Sequence, residues 1–229
     1  MTNGKTVPQQ LKDVNEAKAF IQQNNVSVIG FFNNQSSDEA NIFLQTTETI
    51  NYLGVAITSE ESIFQEYSAK SGDITIYKKF DDGNVTFNGE LNVDNLTKFL
   101  STESLPLVVR YSIDTSPRIF SQKDKNVLFL VSQRNDTGEI ERVEKEAVEV
   151  AQMYRENIIV VSYSMEEDDG ENNGILNMLK AEQESSSTMR MVKLDGNGVY
   201  KPEPGTVTSS TMKQFVADFM NNKVVEIGD

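Results

Sequence analysis

Val26-Ser27-Val28-Ile29-Gly30-Phe31-Phe32 is the stretch whose reading decides the fold. Seven residues are too few for a typical helix, and the run is rich in β-branched and aromatic side chains, so it reads as a strand buried on both faces. Such a strand needs cover above and below, and its flanks supply it. Upstream, Val14, Ala17, Phe20 and Ile21 recur at helical spacing until Asn24-Asn25 ends the pattern. Downstream, residues 38–50 place Ala40, Phe43, Leu44, Thr47 and Ile50 on one face. Further along, a strand is predicted over 52–58 and a short helix over 60–67. A hairpin of strands 74–80 and 85–87 turns at Asp81-Asp82-Gly83, and Val93, Leu96, Phe99 and Leu100 mark a closing helix.

The same order then returns. Strands are predicted over 107–111 and 127–131, followed by a helix over 140–155 with Ile140, Val143, Ala147, Val150, Ala151 and Tyr154 on one face. A buried strand over 158–163, a helix over 173–180, a strand over 189–194, a turn at Asn197-Gly198 and a helix over 211–220 complete the copy. This order predicts an α/β chain of two tandem domains, each a mixed central sheet with helices on both faces. A length of 229 residues suits two domains. The junction falls in residues 102–106, a polar stretch ending in Pro106, which divides the chain into 1–105 and 106–229.

Composition removes whole classes of chemistry. The chain has no Cys and no His, so thiolate attack, disulfide exchange, Ser-His-Asp catalysis and Cys- or His-based metal sites are all excluded. No catalytic residue, metal ligand or cofactor is assigned. A net charge of -14, with Lys78-Lys79 the sole adjacent basic pair, opposes a nucleic-acid partner. No apolar run is long enough to span a bilayer, and residues 1–12 lack the apolar core of a signal peptide, so no membrane association is expected. The acidic run Glu166-Glu167-Asp168-Asp169-Gly170-Glu171 fails the spacing of a calcium-binding helix–loop–helix and reads as a solvated loop. Asn25, Asn34, Asn84, Asn95 and Asn135 each begin an Asn-x-Ser/Thr triplet, of which Asn135 is the best glycan acceptor if the chain is secreted.

Four strings carry a resemblance. Val28-Ile29-Gly30-Phe31-Phe32, Lys78-Lys79-Phe80-Asp81-Asp82-Gly83, Leu105-Pro106-Leu107-Val108-Val109 and Thr115-Ser116-Pro117-Arg118-Ile119-Phe120 resemble the non-catalytic b and b' domain pair of the protein disulfide isomerase family. The resemblance implies two redox-inactive thioredoxin-like domains: a structural first domain, and a second that binds unfolded or partly folded polypeptides through a hydrophobic patch. Carried over by position, the patch comprises Phe129 and Val131 on one strand, Val161 on the next, and Val143 or Ala147 on the helix between. Oxidoreductase or isomerase domains are the further partners it implies, and the endoplasmic reticulum lumen is the implied location. Asn33-Asn34-Gln35-Ser36 stands where catalytic relatives carry Cys-x-x-Cys, and Ser187 stands where thioredoxin folds usually place a cis-proline. The linker-like Gly4-Lys5-Thr6-Val7-Pro8 near the start favours a fragment of a longer protein. The alternative from another class is an acidic, low-affinity calcium-binding protein built of thioredoxin folds. Residues 1–105 hold 7 basic and 14 acidic residues and 106–229 hold 14 and 21, so each half carries -7 and neither has the dense acidic tail that storage would favour.

Overall fold

A computed structural model describes residues 5–132, 137–165, 173–182, 184, 186–196 and 198–228. The chain divides into two compact units, Met1–Pro106 and Leu107–Asp229.

In the first unit the elements run β1 (Gln9–Gln10), α1 (Val14–Gln23), β2 (Val26–Phe31), α2 (Asp38–Thr47), β3 (Gly54–Thr58), α3 (Glu61–Glu66), β4 (Ile74–Lys78), β5 (Asn84–Thr86) and α4 (Val93–Glu103). The sheet order is β1-β3-β2-β4-β5. β1, β3 and β2 are parallel, while β4 and β5 return antiparallel. β2 sits at the centre and is buried at every residue. Because strand side chains alternate, Val28 joins Phe43 of α2 and Leu96 of α4 on one face, whereas Ile29 and Phe31 join Phe20 of α1 and Ile63 of α3 on the other. A side chain at Gly30 would begin 2.6 Å from the Phe32 ring and 3.0 Å from Phe43, so only glycine fits beneath these rings. The β4–β5 turn places Asp81 and Gly83 at φ of 50° and 79°, and the Lys78 N–H closes it by donating to the Gly83 carbonyl at 2.7 Å. Side-chain caps start three helices: Asp13, Ser37 and Asn92 accept from the N–H groups of Glu16, Ala40 and Asn95.

The second unit repeats the plan with β6 (Val108–Arg110), α5 (Ser116–Phe120), β7 (Asn126–Ser132), α6 (Thr137–Tyr154), β8 (Ile158–Ser164), α7 (Asn173–Leu179), β9 (Thr188–Lys193), β10 (Val199–Tyr200) and α8 (Ser209–Met220). Its order, β10-β9-β7-β8-β6, is that of the first sheet counted from the opposite edge. β6, β7 and β8 are parallel, and β9 and β10 are antiparallel to their neighbours. Both units are therefore α/β, each a mixed sheet flanked by helices, as the alternation of periodicities predicted.

Several boundaries differ from the sequence reading. α2 ends at Thr47 instead of residue 50; the Thr47 hydroxyl bonds back to the Phe43 carbonyl at 2.9 Å, and the last apolar residue, Ile50, packs from the loop. α6 begins at Thr137, three residues early, and α7 ends at Leu179 because Lys180 turns to a φ of 51°. β1 and α5 were not anticipated. Among the described residues no peptide bond is cis.

Candidate functional site

The two faces of the second sheet are covered differently. On one, Leu128, Leu130 and Val160 pack against Val143 and Ala147 of α6 and Phe215 of α8. Phe129, Val131 and Val161 alternate with those strand residues and so face the opposite way. There Phe129 and Val161 are register partners on adjacent parallel strands. The sheet thus divides the five expected patch residues, bringing together Phe129, Val131 and Val161 and placing Val143 and Ala147 behind it. All five are buried, none more than 1% exposed. Helical periodicity identified the inward stripe of α6 correctly; it holds no information on which side of the sheet α6 crosses.

An aromatic group missed by the sequence reading packs on the Phe129 face. Tyr111, just past β6, has its ring centroid 6.3 Å from that of Phe129 and 5.6 Å from that of Tyr163 on β8. Phe120 of α5 stacks on Phe129 from another side, at 6.4 Å and 29°. Beside these rings opens a cleft of about 580 Å³ lined by residues 110–115 and Tyr163. Ile113 at its rim is 68% exposed, an aliphatic side chain left in water. The rim is held in place by its own hydroxyls. Thr115 Oγ1 accepts from the Ser112 N–H at 2.8 Å and donates to the Arg110 carbonyl at 3.0 Å.

Arg110 forms a two-pronged pair with Glu144 of α6, both contacts at 2.8 Å, and Ser162 Oγ donates to the same carboxylate at 2.6 Å. Burial raises the Glu144 pKa, but hydrogen bonds from Arg110 and Ser162 outweigh it and hold the carboxyl below its usual range. The guanidinium charge at the cleft wall is therefore matched by a neighbouring carboxylate.

The corresponding face of the first domain is packed by α1 and α3. There α1 has ten residues where α5 has five. Phe31 lies 5.6 Å from Phe64 and 6.4 Å from Tyr67, which in turn is 5.5 Å from Tyr77, so aromatic rings fill the space beneath the helices. Burial pushes the Tyr77 phenol well above its ordinary pKa, with the neighbouring Tyr67 adding to the shift.

On the Phe129 face of the second domain the far end of α7 is clamped. Arg190 of β9, 2% exposed, donates from Nε to the Leu179 carbonyl at 3.0 Å and from one terminal nitrogen to the Met189 carbonyl and Thr188 Oγ1, both at 2.8 Å. Its other terminal nitrogen reaches the Lys180 carbonyl at 3.3 Å and pairs with Glu184. The bonds to Leu179 and Lys180 satisfy carbonyls that the end of α7 leaves without helical partners.

Nothing in the first domain's β2–α2 loop can exchange disulfides. Asn33 donates its N–H to Ser71 Oγ at 3.0 Å, and Asn34 Oδ1 accepts from the Ser36 N–H at 2.9 Å. Among the described residues no group of three or more acidic side chains converges as a metal site, and no helix is long and apolar enough to cross a membrane. The acidic run 166–171, Asn135 and Asn197 lie outside the described residues.

Comparison with known proteins places this geometry in a family. The thioredoxin-like domain family matches over residues 32–218. The protein disulfide-isomerase of Drosophila melanogaster is 32% identical over 93% of this chain and 43% of its own length. That of Gallus gallus is 29% identical over 93% of this chain and 41% of its own. The chain therefore spans about two fifths of these relatives. Among solved structures, the bb fragment of ERp72 superposes with a TM-score of 0.62 over 95% of this chain and 98% of the fragment, at 14% identity. The zinc-bound form of human ERp44 gives 0.58 over 94% of this chain and 61% of its own, at 16% identity. With two sheets of one order, helices on both faces of each and no cysteine, the chain belongs to the thioredoxin-like domain family, as a b-type domain pair of the protein disulfide isomerase family.

Proposed function

We propose that the second domain binds unfolded or partly folded polypeptide in the cleft beside Tyr111, Ile113 and Tyr163, while the first domain serves as a structural spacer. The observation that carries this is the cleft itself, which opens beside the paired Tyr111 and Tyr163 rings with an exposed isoleucine at its rim. Phe129, Val131 and Val161 then form the floor that holds the Tyr111 and Tyr163 rings in place, without touching the client themselves. Covering about 300 Å² of apolar surface yields roughly 7 kcal/mol before the ordering and association costs are subtracted, which supports weak and broadly specific binding. No covalent step is involved. The role fits a non-catalytic part of an isomerase-like chaperone in the endoplasmic reticulum lumen, delivering clients to oxidoreductase or isomerase domains; the isomerase relatives support this setting.

Ile113→Ser tests the site with little risk to the fold, because the side chain is mostly in water already. Calorimetry with an unfolded client peptide is expected to show affinity weakened by about 1 kcal/mol through lost apolar burial, with the unfolding midpoint unmoved. Affinity equal to that of the unaltered chain would remove the cleft as the binding site.

A further inference from the structure

We infer that the cleft prefers apolar peptide segments carrying Lys or Arg beside the apolar side chain, and that Asp114 sets this preference; the inference rests on the peptide-binding reading above. Two charged residues line the cleft, Arg110 and Asp114. Arg110 is matched by Glu144 in a bidentate pair that Ser162 also supports. Asp114 is exposed, and no described residue forms an ion pair with it. The unmatched charge at the rim is therefore negative, one residue from Ile113, the aliphatic side chain on which a client would seat. An extended peptide advances about 3.3 Å per residue, so a cation within one or two residues of the seated side chain comes within a few ångströms of this carboxylate. An acidic residue there would meet repulsion instead, and the second half's own charge of -7, from 14 basic and 21 acidic residues, adds to it. Charges at a rim act mainly on selection and are screened by salt, so discrimination should be modest and should depend on ionic strength.

The experiment uses the full chain and three fluorescent peptides that share one Trp-Leu core, flanked by Lys, by Ser or by Glu. At low salt the Lys-flanked peptide is expected to bind about three- to tenfold more tightly than the Glu-flanked one, the ratio shrinking as salt approaches about 0.5 M. Asp114→Asn is expected to bring the ratio down to about twofold or less. Equal affinities for all three peptides in the unaltered chain would overturn the inference and leave the peptide-binding reading standing. So would a ratio that survives Asp114→Asn, since the preference would then come from the diffuse charge of the domain. Binding of none of the three would remove the peptide-binding reading itself, and the inference with it.

Discussion

Phe129→Ala should destabilise the second domain by about 3–5 kcal/mol, the usual cost of emptying a large aromatic site in a packed core. Phe129 has no exposed surface, and its ring is held between Tyr111 and Phe120 while its backbone pairs with Val161 on β8 and Arg190 on β9. Truncation leaves a void directly under the Tyr111 ring, which forms one wall of the cleft. Hydrogen exchange followed through increasing urea can report each domain separately. Amides of β7 and β8 are expected to lose protection at lower urea, with those of β2 and β3 unchanged. If the second domain instead kept its stability, Phe129 would not be core and the division into floor and rim would be wrong.

Arg190→Met is the second large effect. Methionine follows the aliphatic stem but supplies no donors, so the buried carbonyls of Leu179 and Met189 lose partners at 3.0 and 2.8 Å, and Glu184 loses its counter-charge. Leaving buried acceptors unpaired costs about 1–3 kcal/mol each where no water replaces the donor. Because Glu184 is 36% exposed, its share is reduced by solvent, and a total of about 3 kcal/mol is expected. That corresponds to a fall of roughly 10 °C in the melting temperature of a domain of this size. Arg190→Lys keeps the charge but cannot reach the same carbonyls at once, so it should fall between the two. Exchange of the α7 amides should rise more than that of α6, since the clamp acts on α7. A melting temperature within about 2 °C of the unaltered chain would show that water, not Arg190, satisfies the end of that helix.

The parts of the fold that were legible in the sequence are those written as period. β2 and β8 are short, mostly apolar runs, and α6 carries a long stripe from Ile140 to Tyr154, so each declared its type without help from the rest of the chain. β1 declared nothing: Gln9 and Gln10 are exposed polar residues, and they form a strand only because β3 offers them an edge. α5 is five residues long, too short for periodicity to show. At the candidate site, alternation placed Phe129, Val131 and Val161 on one face, but an apolar strand residue looks alike whether it is floor or rim. Val143 and Ala147 went to the wrong side because a helix's stripe says that it packs, not which face of the sheet it packs on. One signal for the rim was present and unused. Tyr111 directly follows β6 and Tyr163 lies near the end of β8, two strands that pair in parallel with Arg110 opposite Ser162, so the two rings fall side by side.

The central claim is that an unfolded polypeptide docks in the cleft of the second domain. Titrating the ¹⁵N-labelled chain with an unfolded client peptide and following every backbone amide by NMR tests it most directly. Perturbations are expected to cluster at Tyr111, Ser112, Ile113, Asp114 and Thr115 and at Tyr163, with weaker effects at Phe129 and Val161 beneath and none in β2, β3 or α1. Perturbations centred on α6 and α8, or on the first domain, or no perturbation at all with a peptide in excess, would contradict it.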